Sequence, residues 1–329
     1  MNRPNETIRV GVVGVGTMGQ HHVRIISRLP GVILAGFFDP DLARSREIFE
    51  RHSCRCFEAL EDLLDNVDVL TVAAPTTLHE QIGAECLKRG IHLLMEKPLA
   101  HTVEGAARLV ELAREARVTL MVGHVERYNP AVAKMIELLR RIPENVVSID
   151  ARRLMPFDGS RCMDVDIVHD LLIHDVDLAL EIADSQITRV YASGRPVFSK
   201  QTDEAHTLID FENGATAVFW TSKCSPRKVR SITVTTPCRY LMADTLSRTL
   251  TVYTADQLPV MDSGVCLMGD VHREEIPVPE EEPLGNEIQD FVRAIRDKTP
   301  PLVDGERALR ALKALDLVSR SISSGMPAS

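Results

Sequence analysis

The sequence predicts an α/β fold in two domains, the first with a parallel sheet and the second with a mostly antiparallel sheet. Three observations carry this. Apolar strand-like runs alternate with helical stretches from Ile8 to about Val122, the rhythm of a parallel sheet. The hexapeptide Gly14-Val15-Gly16-Thr17-Met18-Gly19 stands between the first strand and the first helix. Short β-rich runs then follow one another without helices from Thr188 to Tyr253, which argues for antiparallel pairing. The boundary is placed after His124, giving domains 1–124 and 125–329, with the closing helices able to pack back on the first domain.

Taken in order, strands are predicted at Ile8 to Val13, Val32 to Phe38, Val67 to Ala73, His92 to Met95 and Thr119 to Val122. Helical spacing of apolar residues marks Met18 to Leu29, Leu42 to Arg51, His79 to Arg89 and Val103 to Ala116, with a further turn at Leu60 to Leu64. In the second domain a helix from Pro130 to Arg141, a strand near Val146 to Leu154 and a helix around Val168 to Ile182 precede the β-rich runs. Amphipathic helices Asn286 to Arg296 and Glu306 to Ser323 close the chain after an acidic connector, Pro277 to Pro283.

Composition excludes several classes. The 329 residues carry 38 Lys plus Arg against 47 Asp plus Glu, a formal charge of −9 with no basic stripe, so nucleic acid is not an expected partner. No apolar run approaches the ~20 residues that span a bilayer, and the polar start lacks the features of a signal peptide; no membrane association and a cytoplasmic location are expected. Seven cysteines, at positions 54, 56, 86, 162, 224, 238 and 266, are scattered without a C-x-x-C pair. They read as mostly buried thiols, not as disulfides or a zinc cage.

The glycine hexapeptide gains meaning from its place after a strand and before a helix. Gly14 permits the tight turn, Gly16 lets the backbone approach a pyrophosphate, and Gly19 allows close packing of helix on strand. Asp39 ends the second strand, where a carboxylate accepts hydrogen bonds from ribose hydroxyls and repels a 2′-phosphate. A Rossmann domain that takes NAD in preference to NADP follows; Arg44 and Arg46 lie farther along the next helix.

Two further groups carry chemistry. Glu96-Lys97-Pro98 follows the fourth strand at the carboxyl edge of the sheet, where such folds place their ligands. An ammonium there stabilises the alkoxide character that develops as hydride leaves the same carbon. Asp170 and His174 lie four residues apart in His169 to Asp177, on one face of a helix, as a general base and its orienting carboxylate would. The paired histidines 169 and 174 stand about 140° apart around a helix, unlike a zinc-binding pair, and no metal is expected. Arg127, Arg153 and Arg161 offer donors for phosphates; each is equally open to a structural salt bridge.

These motifs, with Ala74-Pro75-Thr76 and His79, resemble the Gfo/Idh/MocA family of sugar and inositol dehydrogenases across essentially the whole chain. The resemblance implies Lys97, Asp170 and His174 as the catalytic group, in contact with the sugar. It places the Ala74 to Thr76 turn beside the nicotinamide and implies that the second domain's sheet is open-faced, with a homodimer or homotetramer formed through it. Cofactor contacts are expected from Gly14, Gly16, Thr17, Met18, Gly19, Asp39, Ala74, Pro75, Thr76, His79, Glu96 and Lys97, and substrate contacts also from Arg127, Asn129 and Arg153. Val122 to Pro130, with Arg153, Pro156-Phe157 and the Asp170 to Asp177 stretch, is similar to the subgroup that oxidises UDP-N-acetylglucosamine at C3, ahead of amination for lipid A. The stretch Val165 to His169 departs from the glycine-rich run of many relatives. Another sugar, an inositol or a UDP-sugar acid as substrate remains open, as does a non-catalytic, dinucleotide-binding regulator.

Overall fold

The computed structural model describes residues 7–158, 166–255, 260–262, 265–267 and 271–329. The chain forms two compact units, residues 1–124 with 284–312, and residues 125–283 with 313–329.

The first unit holds a parallel sheet of β1 (Ile8–Val13), β2 (Val32–Phe38), β3 (Val69–Val72), β4 (His92–Glu96) and β5 (Leu120–Gly123), in the order β2-β1-β3-β4-β5. The central β1 and β3 and the neighbouring β4 and β5 are mostly buried runs of Val, Leu, Ile and Met, as expected for strands covered on both faces. The connecting helices are α1 (Gly19–Ile26), α2 (Leu42–His52), the short α3 (Leu60–Leu64), α4 (Thr76–Lys88) and α5 (Val103–Ala116). Asp41 caps α2 through Ala43 N and Arg44 N, and Thr102 caps α5 through Gly105 N, each satisfying amides that a helix start leaves without partners.

Boundaries differ from expectation in two instructive places. β3 begins at Val69, not Val67; the Asp68 side chain turns to Arg9, accepting from its amide at 2.9 Å and its guanidinium at 2.8 Å. α4 begins at Thr76 directly after Pro75, a residue that pre-sets the backbone at a helix start.

The second unit is built on α6 (Pro130–Leu139), β6 (Ser148–Leu154), α7 (Ile173–Ala183), β7 (Ile187–Arg195), β8 (Glu204–Phe211), β9 (Thr216–Ser222), β10 (Val229–Thr235), β11 (Arg239–Asp244) and β12 (Thr249–Ala255). A two-stranded pair, β13 (Val260–Asp262) with β14 (Val265–Leu267), and β15 (Val271–Ile276) complete it; these three strands carry no clear alternation in the sequence. The large sheet runs β15-β12-β11-β10-β6-β9-β8-β7. All its pairings are antiparallel except β6 with β9. One face is buried through Ile149, Ala217, Phe219, Ile232 and Leu241, whereas Tyr191, Val218, Trp220, Tyr240 and Met242 are exposed. This alternation is the period-two signature of a sheet covered on one side.

Helices α8 (Pro283–Asp297) and α9 (Gly305–Ser324) end the chain. Most of α8 and the first part of α9 belong to the first unit, and the rest of α9 to the second. The linker between them lies along β5, with Val122 N donating to Val303 O and Met121 bridging to Asp304. Of the thiols expected to be mostly buried, only Cys86 is; Cys54, Cys56, Cys224 and Cys238 are half-buried. Cys162 and the Cys266 side chain lie outside what is described.

Candidate active site

In the first unit the glycine hexapeptide forms a tight passage from β1 to α1. Gly14 has φ +80°, and a Cβ there would meet Ala73 O at 2.7 Å; at Gly19 it would fall 1.7 Å from Gly14 O. Neither position admits a side chain. At Gly16 a Cβ would meet nothing within 4 Å, so the chain keeps an open approach there. Thr17 and Met18 are exposed beside it, and Met18 supplies no side-chain cap to α1. An uncapped helix start facing open space is a ready anion site, and these residues fit a dinucleotide pyrophosphate.

Asp39 is fixed at the end of β2. Its Oδ2 accepts from Val15 N at 2.8 Å and its Oδ1 from Asp41 N at 2.9 Å, leaving lone pairs for the hydroxyls of a ribose. Arg44 comes to 3.4 Å from Oδ2, a proximity that its distance along the sequence did not reveal.

β4 delivers Glu96, Lys97 and Pro98 through a cis Lys97–Pro98 bond. Glu96 is buried and its Oε1 stands 3.0 Å from His22 Nε2 of α1. Burial pushes the Glu96 carboxyl up, but the His22 hydrogen bond with the charges of His22, Lys97 and His79 holds it below its ordinary value. Between residues 93 and 100 only Lys97 is not buried. His79, in the first turn of α4, reaches both turns, with Nδ1 2.8 Å from Pro98 O and Nε2 3.0 Å from Ala74 O. The structure thus brings Ala74, His79, Glu96 and Lys97 to the carboxyl edge of the sheet. His22 was missed in the sequence, although its place one turn into the glycine-motif helix was the available signal.

In the second unit the expected helix from Val168 begins as a π-helical turn, Val168–Leu172, and continues as α7. Such turns occur frequently at functional sites. Asp170 lies in the π turn and His174 at the start of α7, both half-buried; the four-residue spacing therefore does not lie on a regular α-helix as expected. His174 alone among residues 171–180 is not buried. His169 pairs with Asp166 at 2.9 Å, and Ile167 and Leu171 pack on Ala205 in place of the glycine-rich run. Among the described residues no group of three or more His, Cys, Asp or Glu could hold a metal ion.

Arg127, Arg153 and Asn129, expected at the substrate, all have partners within the second unit. Arg127 is buried against Asp177, with Nε 2.6 Å from Oδ2, and also pairs with Glu181. Arg153 is buried in a bidentate pair with Asp175 and a third contact to Glu126 at 2.9 Å. Asn129 caps α6 through Ala131 N and donates to Thr245 O at 3.0 Å. These donors are engaged inside the unit, because buried charge is tolerated only when paired. Arg161 lies outside the described residues. Arg230, paired with Arg153 in the β10–β6 register, is half-exposed and lies 3.6 Å from Glu126. Burial and the Arg153 charge lower its pKa, against the opposing charges of Glu126, Asp175 and Asp170.

Comparison with known proteins decides the family. Residues 8–124 match the family described as oxidoreductase, NAD-binding Rossmann fold, and residues 152–236 match the Gfo/Idh/MocA C-terminal domain. UDP-N-acetylglucosamine 3-dehydrogenase of Acidithiobacillus ferrooxidans is 30% identical over 93% of this chain and 95% of its own. The chain belongs to the Gfo/Idh/MocA family of oxidoreductases. The solved structure of the Acidithiobacillus enzyme superposes with a TM-score of 0.87 at 29% identity, covering 96% of this chain and 98% of its own. The scyllo-inositol 2-dehydrogenase (NAD(+)) of Bacillus subtilis is 25% identical over 97% of this chain and 95% of its own. As a Gfo/Idh/MocA protein the chain is an NAD(P)-dependent dehydrogenase acting on a CH–OH group. No helix among its described residues is long and apolar enough to cross a membrane.

Proposed function

We propose that this dehydrogenase oxidises a hydroxyl of a sugar nucleotide to a ketone, with UDP-N-acetylglucosamine at C3 as the substrate and NAD as the cofactor. The observation that carries the chemistry is the exposure pattern: Lys97 and His174 are the partly accessible side chains in stretches of chain that are otherwise buried. A half-buried histidine suits proton removal, and a half-buried lysine suits stabilisation of a developing negative charge.

His174 takes the hydroxyl proton and Asp170 orients its ring and favours the protonated form. Lys97 donates to the same oxygen and stabilises its developing negative charge. NAD held at the Gly14 to Gly19 turn and Asp39 would supply the hydride acceptor for that carbon. Asp39 supports NAD over NADP by its carboxylate. Arg230, half-exposed and within electrostatic reach of Asp170, is the cation suited to a diphosphate. The substrate assignment draws its support from the whole-length similarity to the Acidithiobacillus enzyme. A cytoplasmic homodimer or homotetramer, in contact through the sheet face carrying Val218, Trp220, Tyr240 and Met242, completes the reading; a monomer by light scattering would count against that part.

The test is the absorbance of reduced nicotinamide when the protein, NAD and a panel of sugars and sugar nucleotides are mixed, with an aminotransferase coupled to draw off the ketone. Reduction specific to UDP-N-acetylglucosamine is expected. Reduction with an inositol or a UDP-sugar acid instead would move the substrate, and silence across the panel would overturn the sugar reading.

A further inference from the structure

His79 is only 1% exposed, yet both of its ring nitrogens stand at hydrogen-bond distance from backbone carbonyl oxygens, Pro98 O at 2.8 Å and Ala74 O at 3.0 Å. A carbonyl oxygen only accepts. A neutral imidazole carries one N–H, so one of these contacts would set a nitrogen lone pair against an oxygen lone pair. Both contacts are satisfied only when both nitrogens carry protons. His22 differs, since its Nε2 meets the Glu96 carboxylate and a single proton serves that bond.

We propose that His79 is a buried imidazolium clamp, donating to Ala74 O and Pro98 O at once, and is thereby a positioning residue for Lys97. A buried cation needs compensation. Here two carbonyl dipoles point at the ring, and the ionised Glu96 lies close enough for the His79 charge to act on it. The start of α4 disfavours a cation, and these contacts must outweigh it. The other ionisable groups of this neighbourhood are Lys97, His22 bonded to Glu96, Glu287 whose carboxyl feels Glu96, and Glu80, which is paired to Arg108.

The geometry gives the clamp its purpose. Ala74 follows β3 and Pro98 follows the adjacent β4, so one side chain ties together the two turns that leave neighbouring strands at the ligand-binding edge. Lys97 lies between Glu96, held by His22, and Pro98, held by His79. His79 holds the backbone carbonyl of the residue that follows Lys97, and His22 holds the side chain of the residue that precedes it. This rests on the reading of Lys97 as the residue that meets the substrate oxygen.

The first experiment needs no substrate. In the full-length protein with 15N-labelled histidine, one histidine is expected to show both ring nitrogens protonated from about pH 6 to about pH 8, across the range where an exposed ring titrates, and that signal is expected to vanish in His79→Gln. Finding every buried ring as a neutral tautomer with one bare nitrogen near neutral pH would overturn the clamp, even if the variant does not fold. In folded His79→Gln, acylation of Lys97 followed by mass spectrometry is expected to quicken severalfold, and kcat to fall about a hundred-fold, the scale of an ångström misplacement, with a smaller change in KM for NAD. An unchanged Lys97 labelling rate, or wild-type kcat, would overturn the positioning role. Failure of UDP-N-acetylglucosamine as substrate leaves the nitrogen and labelling results standing, so the two readings fail separately.

Discussion

Arg153 and Asp175 form a buried bidentate pair, the guanidinium donating from Nε at 3.0 Å and from Nη2 at 2.8 Å to the two carboxylate oxygens. Glu126 adds a third contact and Arg230 a fourth, looser one. The cluster sets a buried arginine that holds the second unit together beside a half-exposed one.

Removing Arg153 strands two buried carboxylates. Arg153→Ala is expected to destabilise the second unit by about 3–5 kcal/mol, the cost of breaking a buried pair from one side. Arg230→Ala, at a half-exposed site, is expected to leave stability nearly unchanged and to raise KM for the sugar nucleotide about tenfold or more. Urea denaturation and steady-state kinetics on both variants check this; equal destabilisation by the two substitutions would reject the division of roles.

Lys97→Ala and His174→Ala are each expected to lower kcat by at least about a hundred-fold, as removal of a charge stabiliser or a general base does, while NAD still binds. Fluorescence titration with NADH and initial rates provide the measurement, and wild-type turnover in either variant would remove that residue from the mechanism.

The proposed preference for NAD rests on Asp39, and Arg44 stands 3.4 Å from its carboxylate. Asp39→Ser removes the carboxylate that repels a 2′-phosphate and leaves Arg44 near that position, so kcat/KM for NADP over NAD is expected to rise about tenfold or more. Arg44→Ala in the same background is expected to reverse the gain. Loss of NAD use without any gain in NADP use would show that Arg44 does not take the phosphate.

Glu287 on α8 is fully buried, and neither carboxyl oxygen has a hydrogen-bond partner among the described residues. Burial first, then the charges of Glu96 and Asp290, pushes its pKa well above the ordinary 4.5. The unfolded chain releases this proton near the ordinary value while the folded chain keeps it. Its contribution to stability is therefore complete below that pH and lost as pH rises toward the folded pKa, by about 1.4 kcal/mol per unit. Glu287→Gln cannot ionise, so its advantage in Tm over wild type is expected to widen between about pH 4.5 and pH 7.5. A constant difference across a series of thermal melts would show that Glu287 is not held protonated.

The Rossmann half was legible in the sequence because β1 to β5 are nearly continuous apolar runs and the glycine hexapeptide announces the first turn. The candidate site was legible as residue types but less so as geometry. Arg127 and Arg153 present the same cationic face in sequence as Arg230; only folding shows that Asp177, Glu181, Asp175 and Glu126 claim the first two. These partners lie far along the chain, beyond any local pattern. The π turn at Val168–Leu172 was hidden for another reason, since a single widened turn leaves the helical spacing of apolar residues almost unchanged.

The turn around Val303 that lies along β5 has a bearing on how the protein is made. A chain emerging from the ribosome has all five parallel strands in hand once residue 124 is out, yet the segment that covers the β5 edge and the buried faces of α8 comes only after residue 284. At usual synthesis rates the nascent sheet waits roughly ten seconds or more with that edge bare. An open edge strand invites pairing with other chains, so the interval in which this protein is most exposed to aggregation falls during translation, while the intervening unit is still being built.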